Sequence, residues 1–158
     1  MKFIKIAVVS LLFSASGVLA EESPQSVVNH YMAAWNAHSA SQASRYLASD
    51  VIYYDAATGS PVKGKERAEK EVIGAFIQAV PDLKWKMISQ PVFNNDTIAF
   101  QWEFSGTNAG EWAGSPATHN KIKFEGVSFI KVNQGKITYQ GDYYDSKKLD
   151  AELASSSR

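Results

Sequence analysis

The chain has 158 residues, and its 16 basic and 16 acidic side chains give a formal net charge of zero. It contains no cysteine, which excludes disulfides, thiolate nucleophiles and cysteine-ligated zinc. The sequence has no basic patch of the kind that nucleic-acid binding requires, so nucleic acid is not an expected partner.

The first twenty residues have the pattern of a secretory signal peptide. Two lysines precede an apolar run over residues 6–13, and Val18 and Ala20 supply the small residues of a cleavage site. The apolar run is shorter than the roughly 20 residues that a membrane-spanning helix needs. We therefore expect a signal peptide over residues 1–20, cleavage after Ala20, and a periplasmic or secreted protein that does not contact the membrane. The mature chain, residues 21–158, has the size of a single domain.

The mature chain opens with a helix pattern. Ser23 followed by Pro24 is a typical helix start, because serine caps the helix and proline suits the first helical position. Apolar residues then recur at helical spacing as far as Trp35. A short second helix is predicted over Ser41–Leu47, and the β-branched and aromatic stretch Val51–Asp55 predicts a short strand.

A loop and a third helix follow. Residues 56–64 carry two glycines and a proline, which indicates a loop. A helix is predicted over Lys65–Ala79, with an apolar stripe that includes Phe76. Pro81 ends it, because the residue before a proline avoids helical geometry.

The remaining sequence alternates with a period of two, which is typical of strands. The predicted strands are Leu83–Phe93, Thr97–Ser105, Lys121–Val132 and Lys136–Tyr144, with an irregular loop over Gly106–Asn120. Helices followed by an antiparallel meander predict an α+β fold, with the helices packed on one face of a curved sheet.

The last strand and the residue after it read "YQGDYYD" and contain two aspartates, although aspartate is depleted from strand interiors. Side chains alternate between the two faces of a strand, so Gln140, Asp142 and Tyr144 share one face and Asp145 lies on the other. We expect Asp142 to point into the protein. Asp145 is expected to serve as a cap or a salt-bridge partner at the end of the strand.

Several segments, taken in order, resemble SnoaL-like proteins of the nuclear-transport-factor-2-like superfamily. They are "YMAAWNAHSASQASRYLASDVIYYDAATGSPVKGKE", "VPDLKWKM", "FSGTNAGEWAGSPATHNKIKFEGVSFIKVNQGKI" and "DYYD", within a region of about residues 25–146. The resemblance implies a cone-shaped α+β barrel, in which a curved, mostly antiparallel sheet and about three helices enclose an apolar pocket. It also implies a homodimer, which is common in this superfamily.

The resembled family includes polyketide cyclases in which an aspartate on the last strand acts as acid and base in a ring-closing aldol step. Asp142 matches that position, four residues after Gly-Lys-Ile. Similar proteins often carry His-Trp directly before the aspartate, where this chain has Gln140 and Gly141. Ser128 occupies the level at which the preceding strand sometimes contributes a histidine.

An inward Asp142 surrounded by aromatic rings would have a raised pKa and could exchange a proton with a carbonyl substrate. The alternative is a structural aspartate, hydrogen-bonded to a tyrosine or a backbone amide. Asp55 is expected to close an Asx-type turn or to reach the pocket rim, and one of Tyr53 and Tyr54 is expected to line the cavity. The predicted ligand-binding residues are Trp35, Tyr54, Asp55, Trp102, Phe104, Phe124, Ser128 and Tyr144.

The three histidines have no metal-like spacing, so no metal site is predicted, and the proposed chemistry requires no cofactor. Three functions stay open at this point. The first is cyclase-, isomerase- or lyase-type acid/base catalysis on a small, largely apolar carbonyl compound. The second is non-catalytic binding of a small hydrophobic molecule, and the third is a dimeric accessory module. The dimer is expected to form through Val127, Phe129, Tyr139 and Tyr143 on the outer face of the sheet.

Overall fold

The computed structural model describes residues 22–154. The predicted signal peptide over residues 1–20 lies outside the described residues. In the part that is described, no helix is both long enough and apolar enough to cross a membrane.

Five α-helices and seven strands make up the described part of the chain. The helices are α1 (Pro24–Asn36), α2 (Ala40–Ala43), α3 (Lys65–Arg67), α4 (Ala75–Ala79) and α5 (Ser146–Ala154). A 3-10 turn at Ser44–Tyr46 follows α2, and a π-helical segment at Ala68–Gly74 joins α3 to α4. The strands are β1 (Leu47–Asp55), β2 (Val62–Lys63), β3 (Lys84–Met87), β4 (Val92–Asn94), β5 (Thr97–Thr107), β6 (Lys121–Asn133) and β7 (Lys136–Tyr144).

The first helix begins as the sequence predicts. The Ser23 hydroxyl accepts a hydrogen bond from the Ser26 amide at 3.2 Å, and Pro24 occupies the first helical position. Tyr31 and Trp35 belong to the buried side of α1, which packs against the sheet. The helix therefore supplies one aromatic wall of the interior.

Two predicted boundaries differ from the structure. The second helix is shorter than Ser41–Leu47, and β1 begins at Leu47 rather than at Val51. The reason is pairing with a distant strand, because Leu47 already lies opposite Ile137 of β7. A register irregularity between Leu47 and Ile52 obscures the alternation in the sequence.

Two other elements have the predicted extent but a different internal structure. The helix over residues 65–79 has a π-helical middle, which places the adjacent Val72 and Ile73 both in the core. The strand predicted over Leu83–Phe93 is divided into β3 and β4, which pair with opposite halves of β5. Pro91 lies in the gap, where no ladder hydrogen bond is needed from it.

The seven strands form one curved, open sheet in the order β2-β1-β7-β6-β5-β3, with β4 also paired to β5. All pairs are antiparallel except β1 and β7, which are parallel. The α1 helix packs against the inner face, where the aromatic core lies. This arrangement confirms the predicted α+β cone.

The C-terminal helix α5 was not predicted. The Asp145 carboxylate accepts hydrogen bonds from the amides of Lys147 and Lys148 at 3.0 and 3.2 Å, so Asp145 caps the helix. Leu149 is buried and anchors α5 to the body of the protein. The predicted role of Asp145 as a cap is confirmed, although the element that it caps was missed.

Candidate functional site

A small cavity lies inside the cone, between α1, the helical segment 65–79 and the inner face of the sheet. Its volume is about 20 Å³, which is roughly the space that one water molecule needs. Eight of its lining side chains are aromatic and two are acidic. They are Trp35, Tyr53, Asp55, Phe76, Trp85, Trp102, Phe104, Phe124, Asp142 and Tyr144.

Asp142 points inward from β7, as the alternation of the last strand predicts, and is 5 % exposed. Its Oδ1 accepts a hydrogen bond of 2.5 Å from the Ser128 hydroxyl on β6. Its Oδ2 accepts hydrogen bonds from the Tyr53 hydroxyl at 2.7 Å and from the Gln140 amide at 2.9 Å. Three donors from three strands therefore hold the carboxyl group in one orientation.

The pKa of Asp142 is raised to about 7, mainly because burial disfavours the charged form. The nearby charge of Asp55 raises it further, while the hydrogen bonds from Ser128, Tyr53 and Gln140 lower it in part. A carboxyl group that titrates near neutral pH can both accept and return a proton.

Asp55 is the second buried acid of the cavity and lies at the end of β1. Its Oδ1 accepts hydrogen bonds of 2.8 Å from the Tyr144 hydroxyl and from the Ala57 amide. Burial raises the pKa of Asp55 to about 6, against the lowering effect of these bonds. Asp55 thus closes an Asx-type turn and lines the cavity at the same time, so both expectations from the sequence apply.

Tyr54 is a correction to the predicted cavity wall. Its ring packs against Tyr143 on the outer face of the sheet, with the ring centroids 5.3 Å apart. Tyr53 is the buried tyrosine that lines the cavity and contacts Asp142. The alternation of side chains along β1 distinguishes the two tyrosines. Tyr53 lies two residues before the inward Asp55 and therefore points to the same face of the sheet.

The other predicted aromatic residues do line the cavity: Trp35, Trp102, Phe104, Phe124 and Tyr144. Ser128 is buried but stands behind Asp142 instead of lining the cavity. Phe76 and Trp85 complete the wall and were not predicted as site residues. Phe76 was recognised only as part of an apolar helical stripe, a pattern that does not distinguish core from cavity.

The ring of Phe76, which lines the cavity, packs edge to face against the Trp112 ring, with the centroids 4.9 Å apart. Trp112 comes from the loop between β5 and β6, which Asn108 anchors by donating to the Gly110 carbonyl at 2.8 Å. Outside these rings lies a groove of about 180 Å³, whose wall also includes Phe76 and Trp112. The Phe76 ring therefore separates the acidic cavity from this groove.

Between residues 22 and 154, no group of three or more histidines or acidic side chains is placed to hold a metal ion. The two cavity acids, Asp55 and Asp142, are paired with hydroxyl, amide and backbone donors.

The family model of the SnoaL-like polyketide cyclases matches residues 25–153, which is most of the chain. The chain belongs to this family. A comparison with curated proteins gives no match.

Solved structures agree with the family in fold. A protein from Jannaschia, provisionally named a SnoaL-like polyketide cyclase, has a TM-score of 0.75 and 12% identity, over 85% of this chain and 93% of its own. IdmH from Streptomyces antibioticus, provisionally named a polyketide cyclase, has a TM-score of 0.68 and 20% identity, over 85% and 100%. A protein from Catenulispora acidiphila with a ketosteroid isomerase-like fold has a TM-score of 0.68 and 17% identity, over 84% and 94%. At these identities the likeness shows the nuclear-transport-factor-2-like fold.

Proposed function

We propose that this SnoaL-like protein is an acid/base enzyme in which Asp142 transfers a proton on a small, largely apolar, carbonyl-bearing molecule. The reaction would be of the cyclase, isomerase or lyase type and would need no cofactor. The observation that supports this most directly is a buried carboxyl group, in an aromatic cavity, whose pKa is about 7.

The proton transfer follows from the two states of Asp142. As a carboxylate it removes a proton from the carbon next to the substrate carbonyl, and the C–H electrons move toward the carbonyl oxygen. As a carboxylic acid it returns that proton to carbon or oxygen, which restores the carboxylate. The second acid, Asp55, favours the protonated form of Asp142, because two negative charges in one buried cavity are unfavourable.

The experiment that tests this function can be done before the natural substrate is identified. A panel of small apolar ketones is incubated with the protein in D2O, and exchange of the protons next to the carbonyl is followed by NMR. Asp142→Asn should lower the exchange rate by about 10²–10⁴-fold, the usual contribution of a positioned acid/base. Asp145→Asn is the matched control and should retain exchange, because Asp145 caps α5 outside the cavity. Equal exchange by the wild type and Asp142→Asn would refute the proposal.

One observation favours a second function, that of a dimeric accessory module. The cavity volume of about 20 Å³ is far below the roughly 300 Å³ and more of ordinary ligand pockets. A wild-type protein that exchanges no ketone proton and carries no small molecule by native mass spectrometry would support the module. A co-purifying hydrophobic molecule without exchange would instead support a binding protein.

We also propose that the protein is exported and that it forms a homodimer. Export is supported by the signal-peptide pattern over residues 1–20. The dimer is supported by an exposed apolar outer patch on the sheet face opposite the cavity, whose members are Ile52, Val92, Val127, Phe129 and Tyr143. Monomeric proteins rarely expose a large contiguous apolar patch of this kind.

A further inference from the structure

Two unpaired polar atoms lie beside the hydrogen bonds of Asp142. Among the described residues, the Tyr31 hydroxyl and the Gln140 amide oxygen are buried and have no hydrogen-bond partner. Folded proteins satisfy nearly all of their buried polar groups, so each such atom calls for an explanation. Both atoms belong to side chains that surround Asp142, whose charge changes near neutral pH.

The Gln140 amide sets the direction of the Tyr53 hydroxyl. Its Nε2 donates to the Tyr53 oxygen at 3.0 Å and to Asp142 Oδ2 at 2.9 Å, which uses both of its hydrogens. Because the Tyr53 oxygen accepts from Gln140, its own hydrogen is available for Asp142 Oδ2, 2.7 Å away. Oδ2 therefore receives two donors in the carboxylate state, and the Gln140 oxygen receives none.

Tyr31 approaches this network from α1. Its ring packs edge to face against the Trp35 ring, with the centroids 6.4 Å apart. Burial raises the pKa of Tyr31, and Trp35 lowers it in part. The charge of Asp142 raises the same pKa further, while the Tyr53 hydroxyl and the Gln140 amide lower it. The Tyr31 hydroxyl is thus a close neighbour of both groups, although it is bonded to neither in the carboxylate state.

Protonation of Asp142 changes what its oxygens can bind. A carboxylate oxygen only accepts hydrogen bonds, whereas a protonated one must donate its own hydrogen. On Oδ1 that hydrogen would meet the hydrogen of the Ser128 hydroxyl, for which the described residues give no other acceptor. On Oδ2 it can be donated to the Tyr53 oxygen, provided that the Tyr53 hydrogen turns to another acceptor. The unpaired Tyr31 oxygen is a neighbouring acceptor of that kind.

We propose that Tyr31 is a positioning residue for Asp142, which accepts a hydrogen bond from Tyr53 when Asp142 is protonated and donates one to Gln140. This inference rests on the proposed function, in which Asp142 alternates between its two states. The protonated acid then completes a ring, in which Asp142 Oδ2 donates to Tyr53, Tyr53 to Tyr31, Tyr31 to Gln140 Oε1, and Gln140 Nε2 to Asp142. Both unpaired atoms obtain a partner in this ring.

One proton enters the network in each step of catalysis. It leaves the carbon next to the substrate carbonyl and forms the O–H bond of Asp142, while the C–H electron pair forms the C=C bond of an enolate and the carbonyl π electrons move to oxygen. The Tyr53 and Tyr31 hydroxyls turn about their C–O bonds and keep their own hydrogens. The Tyr31 oxygen can accept two hydrogen bonds, so the nearby Trp35 N–H leaves a place for Tyr53.

Asp55 is the neighbour of Asp142 that titrates in the same pH range, because burial raises its pKa to about 6. The other titratable groups that face Asp142 are Tyr53 on β1, Tyr31 on α1 and Tyr144 on β7, and β6 contributes an uncharged hydroxyl. Burial raises the pKa of all three tyrosines, so they stay protonated. Among the described residues that line the cavity, none is a lysine, an arginine or a histidine.

The test measures the pKa of Asp142 by carboxyl ¹³C NMR titration in Tyr31→Phe, in Tyr53→Phe and in the double variant. Tyr31→Phe removes an acceptor that only the protonated state uses, so the pKa should fall by about 0.5–1, the usual worth of one hydrogen bond. Tyr53→Phe removes a donor to the carboxylate, where the hydrogen bond is stronger, so the pKa should rise. The double variant should match Tyr53→Phe, because no Tyr53 hydrogen is left for Tyr31 to accept. Tyr46→Phe is the control, a half-buried tyrosine outside the cavity, and should leave the pKa unchanged.

A second measurement follows the wild type and so does not depend on the stability of the variants. Labelling the seven tyrosines with ¹³C at Cζ gives one signal for each hydroxyl-bearing carbon. The Tyr31 and Tyr53 signals should move with the midpoint of the Asp142 titration, because both hydroxyls change partners, and the Tyr46 signal should stay constant. The inference is overturned by a Tyr31 signal that does not move, by an unchanged or raised pKa of Asp142 in Tyr31→Phe, or by an equal fall when Tyr53 is also removed.

These outcomes are separable from those of the proposed function, because the titration needs no substrate. Opposite pKa changes in Tyr31→Phe and Tyr53→Phe without ketone exchange would leave the ring standing in a protein that is not an enzyme. Exchange with no pKa change in Tyr31→Phe would leave the acid/base function standing without Tyr31. If both hold, the midpoint of the pH–rate profile of exchange should fall in Tyr31→Phe by as much as the pKa of Asp142, which a purely structural role of Tyr31 would not produce.

Discussion

Asp55 and Asp142 lie directly opposite each other on the neighbouring parallel strands β1 and β7, and both line the same cavity. The Asp142 carboxyl group is held by donors from β1, β6 and β7, while Asp55 is held by Tyr144 and by the turn that follows β1. The two acids therefore interact, and the negative charge of Asp55 raises the pKa of Asp142.

Asp55→Asn should lower the pKa of Asp142, because it removes the negative charge that helps to raise it. Carboxyl ¹³C NMR titration of aspartate-labelled protein measures this directly. Asp50→Asn is the matched control on the same strand, since Asp50 is exposed and does not line the cavity. A pKa of Asp142 that stays the same or rises in Asp55→Asn would contradict the assigned coupling.

The free energy of unfolding should depend on pH through Asp142. Its folded pKa of about 7 lies above the ordinary value of 3.8, so the folded state binds the proton more tightly than the unfolded state. The stability that protonation contributes is fully present below pH 3.8 and is lost as the pH rises through about 7. Urea unfolding of the wild type should therefore show a loss on the order of a few kcal/mol between about pH 4 and pH 7.

In Asp142→Asn that loss should be smaller, because asparagine does not titrate, and the part that remains comes from Asp55, whose pKa is also raised, to about 6. Asp145→Asn should keep the wild-type pH dependence, since Asp145 is at the helix cap. The same slope in the wild type and in Asp142→Asn would mean that Asp142 is not the group responsible.

Light scattering at micromolar concentration should give twice the mass of the mature chain. Phe129→Asp should shift the protein toward monomer, because it places a charge in the outer patch. Phe93→Asp is the matched control: it is also an exposed phenylalanine, but its strand partner is the inward Ile98, so it points away from that patch. A wild-type monomer, or an equal effect of both variants, would show that this face is not the dimer interface.

N-terminal sequencing of the exported protein should give Glu21 as the first residue, because Val18 and Ala20 fit the small-residue rule for signal cleavage. The fractions to compare are the periplasm or medium and the cytoplasm. Protein that retains Met1 and accumulates in the cytoplasm would refute export.

The sequence predicts best where one strong local rule applies. The serine cap and helical spacing identify α1, and the period of two identifies β5, β6 and β7 and turns Asp142 inward. The family resemblance supplies the curved sheet and the position of the acid, which the local patterns do not.

Prediction fails where distant contacts decide the structure. The start of β1 depends on Ile137 of β7, and nothing near Leu47 encodes this pairing. Choosing Tyr54 over Tyr53 was an error of one residue, which reverses the face of the sheet. Helix α5 was missed because one buried residue, Leu149, makes too weak a periodic signal.

The parallel pairing of β1 with β7 has a consequence for the protein while it is being synthesised and is folding. Strand β1 is synthesised early, but until β7 emerges its only sheet neighbour is the two-residue β2. The edge of β1 that will receive β7 is left unpaired during that time, and such edges favour aggregation. Pairing between two strands that lie so far apart in the chain is also slow, because the entropy lost on closing the loop between them must be overcome first. Arrested or truncated chains that lack β7 also lack Asp142 and carry no acid pair, so the chemistry of the cavity requires that β7 has joined the sheet.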